Sequence, residues 1–161
     1  PLYGPSADFR LLYTLRSHQV EHHKGEISFP GGGVEPDDQS LEDTALRESH
    51  EEVGISPQDV RLLGRLDDVI TISNFLVTPV LGHLAIFPYS FSPAPLEVSE
   101  ILEIPVSHLR DPRNMEDHPN RVGRRSSPKF PAYRFGEHLV FGATALITTY
   151  FLRMLDEANA L

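Results

Sequence analysis

Three consecutive glycines, Gly31-Gly32-Gly33, close an apolar stretch that ends at Phe29-Pro30, and no helix or central strand runs comfortably through such a run. The chain has to cross this point as a loop, and glycine lets that backbone take positive φ and approach a ligand closely. Helix-starting residues follow: Asp37, Asp38 and Ser40 are all good caps, Thr44-Ala45-Leu46 continue a helical segment, and Gly54 stops it. The periodicity predicts a helix from about Ser40 to Val53, with Leu41, Ala45, Leu46 and Val53 turned toward a core. The expected local order is strand, glycine loop, capped helix.

The end of that helix reads Arg47-Glu48-Ser49-His50-Glu51-Glu52-Val53-Gly54-Ile55. A helix advances about 100° per residue, so Glu48, Glu51 and Glu52, at i, i+3 and i+4, are expected on one patch. Like charges that close repel, and a cation relieves them. Oxygen-only donors suit a hard ion, Mg²⁺ or Mn²⁺, held partly through water and substrate phosphate. A charge run on a helix is more often a solvated face, and the cluster alone does not separate the two. Arg47 stands four residues before Glu51, the spacing of an ion pair, which suits it to orient that carboxylate.

Glycine loop, capped helix and carboxylates together resemble the Nudix hydrolase box, whose pattern is Gly, five residues, Glu, seven residues, Arg-Glu, an aliphatic, any residue, Glu-Glu, any residue, Gly, an aliphatic. Arg47-Glu48 and Glu51-Glu52-x-Gly54 match it outright. Counted back from Arg47, the first Gly falls on Gly33, the first Glu on Gln39 and the aliphatic on Ser49. Started from Gly32 instead, five residues lead to Asp38 and eight rather than seven lead to Arg47; this preferred register has a loop one residue longer and Asp38 in the first acidic position. The resemblance implies that Glu48 and Glu52 are the main metal ligands, assisted by a backbone carbonyl of Gly31 or Gly32. Glu51 joins them or acts as base, and Arg47 is its catalytic companion.

Upstream, Leu12-Tyr13-Thr14-Leu15-Arg16-Ser17 and then Gly25-Glu26-Ile27-Ser28-Phe29-Pro30-Gly31-Gly32 are similar to the motif of the coenzyme A pyrophosphatase branch of that family. That motif runs Leu-Leu-Thr-x-Arg-Ser, three residues, Arg, three residues, Gly, three residues, Phe-Pro-Gly-Gly. Tyr13 replaces the second Leu, and Glu21 stands where the second Arg belongs, an anion for a cation in a phosphate-binding motif. His23 and Lys24 supply nearby positive charge. Val77-Thr78-Pro79-Val80, Pro131-Ala132-Tyr133-Arg134-Phe135 and Val140-Phe141-Gly142-Ala143-Thr144-Ala145 extend the resemblance from Leu11 to Leu155. It implies substrate contacts at Arg16, Ser17, Gly25, Phe29, Gly31 and Asp38. Taken as bare residues, Arg16 and Ser17 are also those of a strand end with a surface salt bridge.

At 161 residues, 40% of them apolar and 23% charged, the chain fits one globular domain spanning 1–161. It has no cysteine, so disulfide and thiol chemistry are excluded. No window reaches the roughly 18 apolar residues of a membrane span, and there is no signal-peptide pattern. Because it opens at Pro1 without methionine, a missing N-terminal piece is expected. A net charge of −9 argues against a nucleic-acid polymer as partner. The stretch from Arg110 to Lys129 runs the other way: Arg110, Arg113, Arg121, Arg124, Arg125 and Lys129 sit among prolines and glycines with little periodicity, which predicts a loop. Its arginines, Arg124 and Arg125 above all, suit a remote substrate phosphate such as the 3′-phosphate of coenzyme A; a solvated insertion explains them equally.

Strands are expected near Arg10 to Leu15, Glu26 to Phe29, Leu62 to Asp67, Phe75 to Phe87, around Ile101 and Ile104, and at Tyr133 to Phe135 and His138 to Phe141, with a short helical turn after Pro105 and a terminal helix to about Leu155. This pattern reads as α/β, and with the resemblance as a Nudix-like α/β/α sandwich on a mixed sheet. The implied activity is metal-dependent hydrolysis of the diphosphate of coenzyme A or an acyl-coenzyme A. Glu21 keeps open other nucleoside diphosphate derivatives such as oxidised dNTPs, and Gln39 with Ser49 keeps open a non-catalytic Nudix-like binding module. The eight histidines show no ligand spacing and read as structural or surface residues, His23 excepted. Compartment (mitochondrial, peroxisomal or cytosolic), oligomeric state and the number of metal ions stay open.

Overall fold

The computed structural model describes residues 1–4, 9–19, 24–119 and 129–159. In chain order its strands and helices are β1 (Leu2–Tyr3), β2 (Arg10–Arg16), β3 (Ile27–Ser28), α1 (Leu41–Val53), β4 (Val60–Arg65), β5 (Val69–Ile70), β6 (Leu76–Val77), β7 (Val80–Leu84), β8 (Val98–Pro105), α2 (Val106–Arg110), β9 (Met115–Pro119), β10 (Lys129–Phe135), β11 (His138–Val140) and α3 (Gly142–Asn159). They group into two compact units: Pro1–Gly64 with Val80–Pro105, and Arg65–Pro79 with Val106–Leu161. The class is α/β on a mixed sheet, as the sequence predicts.

The first unit is built on a six-stranded sheet in the order β3-β2-β1-β7-β4, with β8 paired to β2. Strand β2 is its centre, antiparallel to β1, β3 and β8, while β1 runs parallel to β7. Its sequence explains the position: Leu11, Leu12, Tyr13 and Thr14 are all buried in succession, so both faces are covered, and arginines close the two ends. The core gathers Tyr3, Leu12, Val53, Ile55, Leu84 and Val98.

Helix α1 begins where its cap residues predict. Ser40 is extended and its Oγ accepts from the Asp43 N–H at 3.1 Å. It ends at Gly54, whose φ of 72° and bond to the His50 carbonyl at 2.9 Å make a left-handed cap. A Cβ there would lie 2.8 Å from Ser92 Cβ, so packing as well as φ demands glycine. The buried face differs from the expected apolar one. Thr44, Ser49, Glu52 and Val53 are buried, whereas Leu41, Ala45 and Leu46 are only partly covered. The helix thus turns polar and charged groups toward the glycine loop and β2, and Ser49 stands where bulk would be expected.

In the second unit, β9, β10 and β11 form an antiparallel meander against which α3 packs, and β5 pairs with β6 as a short hairpin. Threonines of α3, Thr148 buried and Thr149 half-buried, satisfy themselves by bonding back one turn, Thr148 Oγ1 to the Thr144 carbonyl and Thr149 Oγ1 to the Ala145 carbonyl, both at 2.8 Å.

Three expectations are corrected. The predicted strand from Phe75 to Phe87 is two, Leu76–Val77 and Val80–Leu84, because Pro79 cannot donate to a ladder. The strand placed at Leu62 to Asp67 runs earlier, Val60–Arg65. The stretch from Arg110 to Lys129 is not all loop: Met115–Pro119 is a strand whose pairing runs from Met115 opposite Tyr133 to Pro119 opposite Lys129. Its sequence has no alternating pattern, and the ladder to β10 holds it in place.

Candidate functional site

The site grows from the end of β2, the glycine loop and α1. A register shift between Leu15 and Arg16 in the pairing with β8 sends the Arg16 side chain toward α1, where Nη1 lies 3.8 Å from Glu52 Oε1. Ser17 is buried; its N–H donates to the Glu97 carbonyl at 2.7 Å and its Oγ accepts from the Gln19 N–H at 2.9 Å. Its hydroxyl oxygen therefore helps to turn the chain after β2. Gly25, at φ 69°, bonds back to the Arg16 carbonyl at 3.1 Å. Phe29 stacks on Tyr13 with centroids 4.6 Å apart, so the departure at Tyr13 supplies the ring that anchors the approach to the glycine loop.

The loop then lies directly on the carboxylates. The Gly31 N–H lies close enough to the Glu52 carboxylate to favour its charged form. At Gly32 a Cβ would come 2.3 Å from Glu48 Oε1, so only glycine leaves that carboxylate its place. Gly33 presents its carbonyl to Arg47 Nη2 at 2.9 Å.

Arg47 is the hub. Nε and Nη2 take the two oxygens of Asp38 at 3.0 and 3.1 Å, and Nη1 donates to Glu48 Oε1 at 3.1 Å and Glu51 Oε2 at 2.9 Å. Asp38, its side chain 5% exposed, also accepts from Thr44 Oγ1 at 2.8 Å and the Glu35 N–H at 2.9 Å. These donors, Arg47 foremost, hold its carboxyl well below the usual range, and Asp38 in turn raises Arg47. Of the two registers, Asp38 is the residue engaged with Arg47; Gln39 is exposed and donates to the Asp37 carbonyl at 3.1 Å. The two oxygens of Asp38 thus tie the loop to the helix.

Helical spacing predicts one carboxylate patch, and the structure divides it. Glu51 is 52% exposed and Glu48 partly covered, both drawn to Arg47. Glu52 is 3% exposed, and its Oε2 has no hydrogen-bond partner. Burial above all pushes the Glu52 carboxyl up to about 7, with Glu48 and Glu97 adding to the rise and Arg16 and the Gly31 N–H opposing it. Burial likewise raises Glu48 against the pull of Arg47. Among the described residues no group of three or more His, Cys, Asp or Glu side chains is drawn together around one point. The donor set still fits a hard cation: oxygens only, like-charged, one of them buried and unpartnered.

Glu97 is the residue that sequence spacing misses. It lies on the segment before β8, which is stitched to the end of α1 by the Ser92 N–H on the Val53 carbonyl at 3.0 Å and the Ala94 N–H on the Glu52 carbonyl at 2.9 Å. Its charge acts on both Glu48 and Glu52. No local pattern announces it.

Arg121, Arg124 and Arg125, with Glu21 and His23, fall outside the described residues. Arg110 and Arg113 of the basic stretch are already paired, with Asp156 and Asp111 respectively. Three of the described histidines pack on aromatic rings: His83 on Phe9, His108 on Phe135 and also the Arg134 carbonyl, His118 on Phe141.

A family model described as NUDIX domain matches residues 5–118. The chain is 37% identical over 147 residues to the mitochondrial coenzyme A diphosphatase NUDT8 of Homo sapiens, covering 90% of this chain and 62% of that protein. To the Mus musculus protein of the same name it is 39% identical over 147 residues, covering 90% and 70%. With the uncharacterized Nudix hydrolase NudL of Photorhabdus laumondii it shares 39% over 139 residues, covering 85% and 72%. The chain thus spans less than two thirds of the human protein's length. Among solved structures, a MutT/nudix family protein from Enterococcus faecalis superposes with a TM-score of 0.55 at 19% identity over 96% of this chain and 59% of that one. An Ap4A hydrolase binary complex from C. elegans does so with a TM-score of 0.54 at 16% identity, over 64% and 74%. These two likenesses concern the fold alone.

Proposed function

Because this chain belongs to the Nudix family, we propose that it hydrolyses the diphosphate of coenzyme A or an acyl-coenzyme A to 3′,5′-ADP and 4′-phosphopantetheine or its acyl form. The observation that carries the reading is the Glu52 carboxylate, 3% exposed with an unpartnered oxygen beside Glu48, in a chain 37–39% identical to coenzyme A diphosphatases.

In this reading Glu48 and Glu52, with a backbone carbonyl from Gly32, hold Mg²⁺ or Mn²⁺. A divalent cation bound there cancels charge on the diphosphate and lowers the pKa of the attacking water. Glu51, its Oε2 fixed by Arg47, takes the proton of that water. Arg47 keeps the glycine loop and the two carboxylates in one arrangement through its bonds to Gly33, Asp38, Glu48 and Glu51. Ser17, Gly25 and Phe29 act by shaping the approach of the chain to the loop. Arg124 and Arg125 keep their sequence-based assignment to the remote 3′-phosphate.

The test is a panel of coenzyme A, acyl-coenzyme A, ADP-ribose, NADH and oxidised dGTP with Mg²⁺ or Mn²⁺, products separated by chromatography. The proposal expects coenzyme A or its thioesters to have the highest kcat/KM and to release 3′,5′-ADP. Preference for oxidised dGTP or ADP-ribose would overturn the substrate assignment. Folded protein that cleaves nothing would point to a binding module.

A further inference from the structure

Two guanidinium–carboxylate pairs stand side by side in this site, and they differ in kind. Arg47 and Asp38 form a closed fork, Nε and Nη2 each on one oxygen at 3.0 and 3.1 Å. Arg16 and Glu52 have the same groups available and leave them open. Arg16 Nη1 stands 3.8 Å from Glu52 Oε1, within ion-pair reach and too far for a hydrogen bond, while Arg16 Nε and Glu52 Oε2 are both buried without a partner. A pair kept for stability alone would close as its neighbour does, because an unpartnered buried donor and acceptor each carry a desolvation cost. Among the described residues the other charges acting on Glu52 are Glu48 and Glu97, both like-charged, and Arg47 is engaged with Asp38, Glu48 and Glu51.

We propose that Arg16 is the resident counter-cation of Glu52: its guanidinium balances the buried carboxylate in the cation-free protein and yields that place when a divalent cation binds. The two cations compete for one carboxylate, and an Arg16 so released carries a charge that suits the phosphate arriving with the metal. Arg16 is a positioning residue that acts through Glu52. The competition rests on the reading of Glu48 and Glu52 as cation ligands; the contact between Arg16 and Glu52 does not.

Thermal melts in EDTA at pH 8.5 of wild type, R16Q, E52Q and R16Q/E52Q form a double-mutant cycle. R16Q is expected to lower the Tm by about 5 °C, E52Q to raise it, and R16Q to cost almost nothing once residue 52 is neutral. Additive changes would overturn the proposal. Where R16Q does not fold, the double variant decides: it folds if Arg16 acts through Glu52, and an equally unfolded double variant overturns the idea.

With Mg²⁺ titrated in, the Tm rise is expected to be larger in R16Q than in wild type by about 3 °C or more, and R16K, which keeps the charge, should respond like wild type. An equal or smaller rise in R16Q overturns the competition. No rise in any protein overturns the cation reading and the competition with it, while the cycle in EDTA separately decides the contact.

Discussion

Arg47 closes a fork on Asp38, Nε to Oδ1 at 3.0 Å and Nη2 to Oδ2 at 3.1 Å, and so ties the loop after the glycines to the middle of α1. The same guanidinium reaches Gly33, Glu48 and Glu51, so loop shape and carboxylate position depend on one side chain. Asp38→Ala should therefore lower the Tm by several degrees and cut kcat/KM, because Arg47 then loses its anchor and the Glu35 N–H and the buried Thr44 hydroxyl lose an acceptor. Gln39→Ala, at an exposed position, should change both little. Melting curves and kinetics of the two variants compared side by side check this, and equal small effects would deny the fork any role.

Gly32→Ala separates folding from chemistry. The new Cβ would meet Glu48 Oε1 at 2.3 Å, and that atom is the end of a flexible side chain, so Glu48 moves and the fold survives. The expected result is a Tm close to wild type with kcat reduced by about tenfold or more. A variant with normal kcat would show that Glu48 need not sit where the loop places it.

The cation-free protein should lose stability as pH rises through neutrality. Glu52 holds its proton to about pH 7 when folded against an ordinary 4.5, so the folded state binds that proton more tightly than the unfolded chain. Its contribution is full below about pH 4.5 and is lost progressively up to about pH 7, a change of about 3 kcal/mol for this buried group. Denaturant melts in EDTA between pH 5 and 8 should show that decline in wild type and a flatter profile in Glu52→Gln. A wild-type profile as flat as the variant's would contradict the burial argument. Bound Mg²⁺ favours the ionised carboxylate and should erase the decline.

Much of this was legible before the structure because its signals are local. Ser40 as cap, Gly54 as stop and the four-residue spacing of Arg47 and Glu51 are determined within a turn or two of helix, and α1 and that ion pair follow from them. What needed the fold is non-local. Arg16 meets Glu52 only because β2 passes beside α1, and Glu97 joins them only because its segment bonds the end of α1. The strand Met115–Pro119 has no pattern of its own and exists through β10. The break between β6 and β7 is readable at Pro79, although the apolar run around it suggests one continuous strand. The polar buried face of α1 reverses ordinary periodicity, as functional sites often do.

The most direct measurement compares kcat/KM for coenzyme A in wild type and Glu52→Gln at saturating Mg²⁺, with release of 3′,5′-ADP as the readout. If Glu52 holds the cation that activates the diphosphate, removing its charge at constant shape should cut turnover about a hundredfold or more while the variant melts no lower than wild type. Near-normal release of 3′,5′-ADP by a folded Glu52→Gln protein would contradict the account.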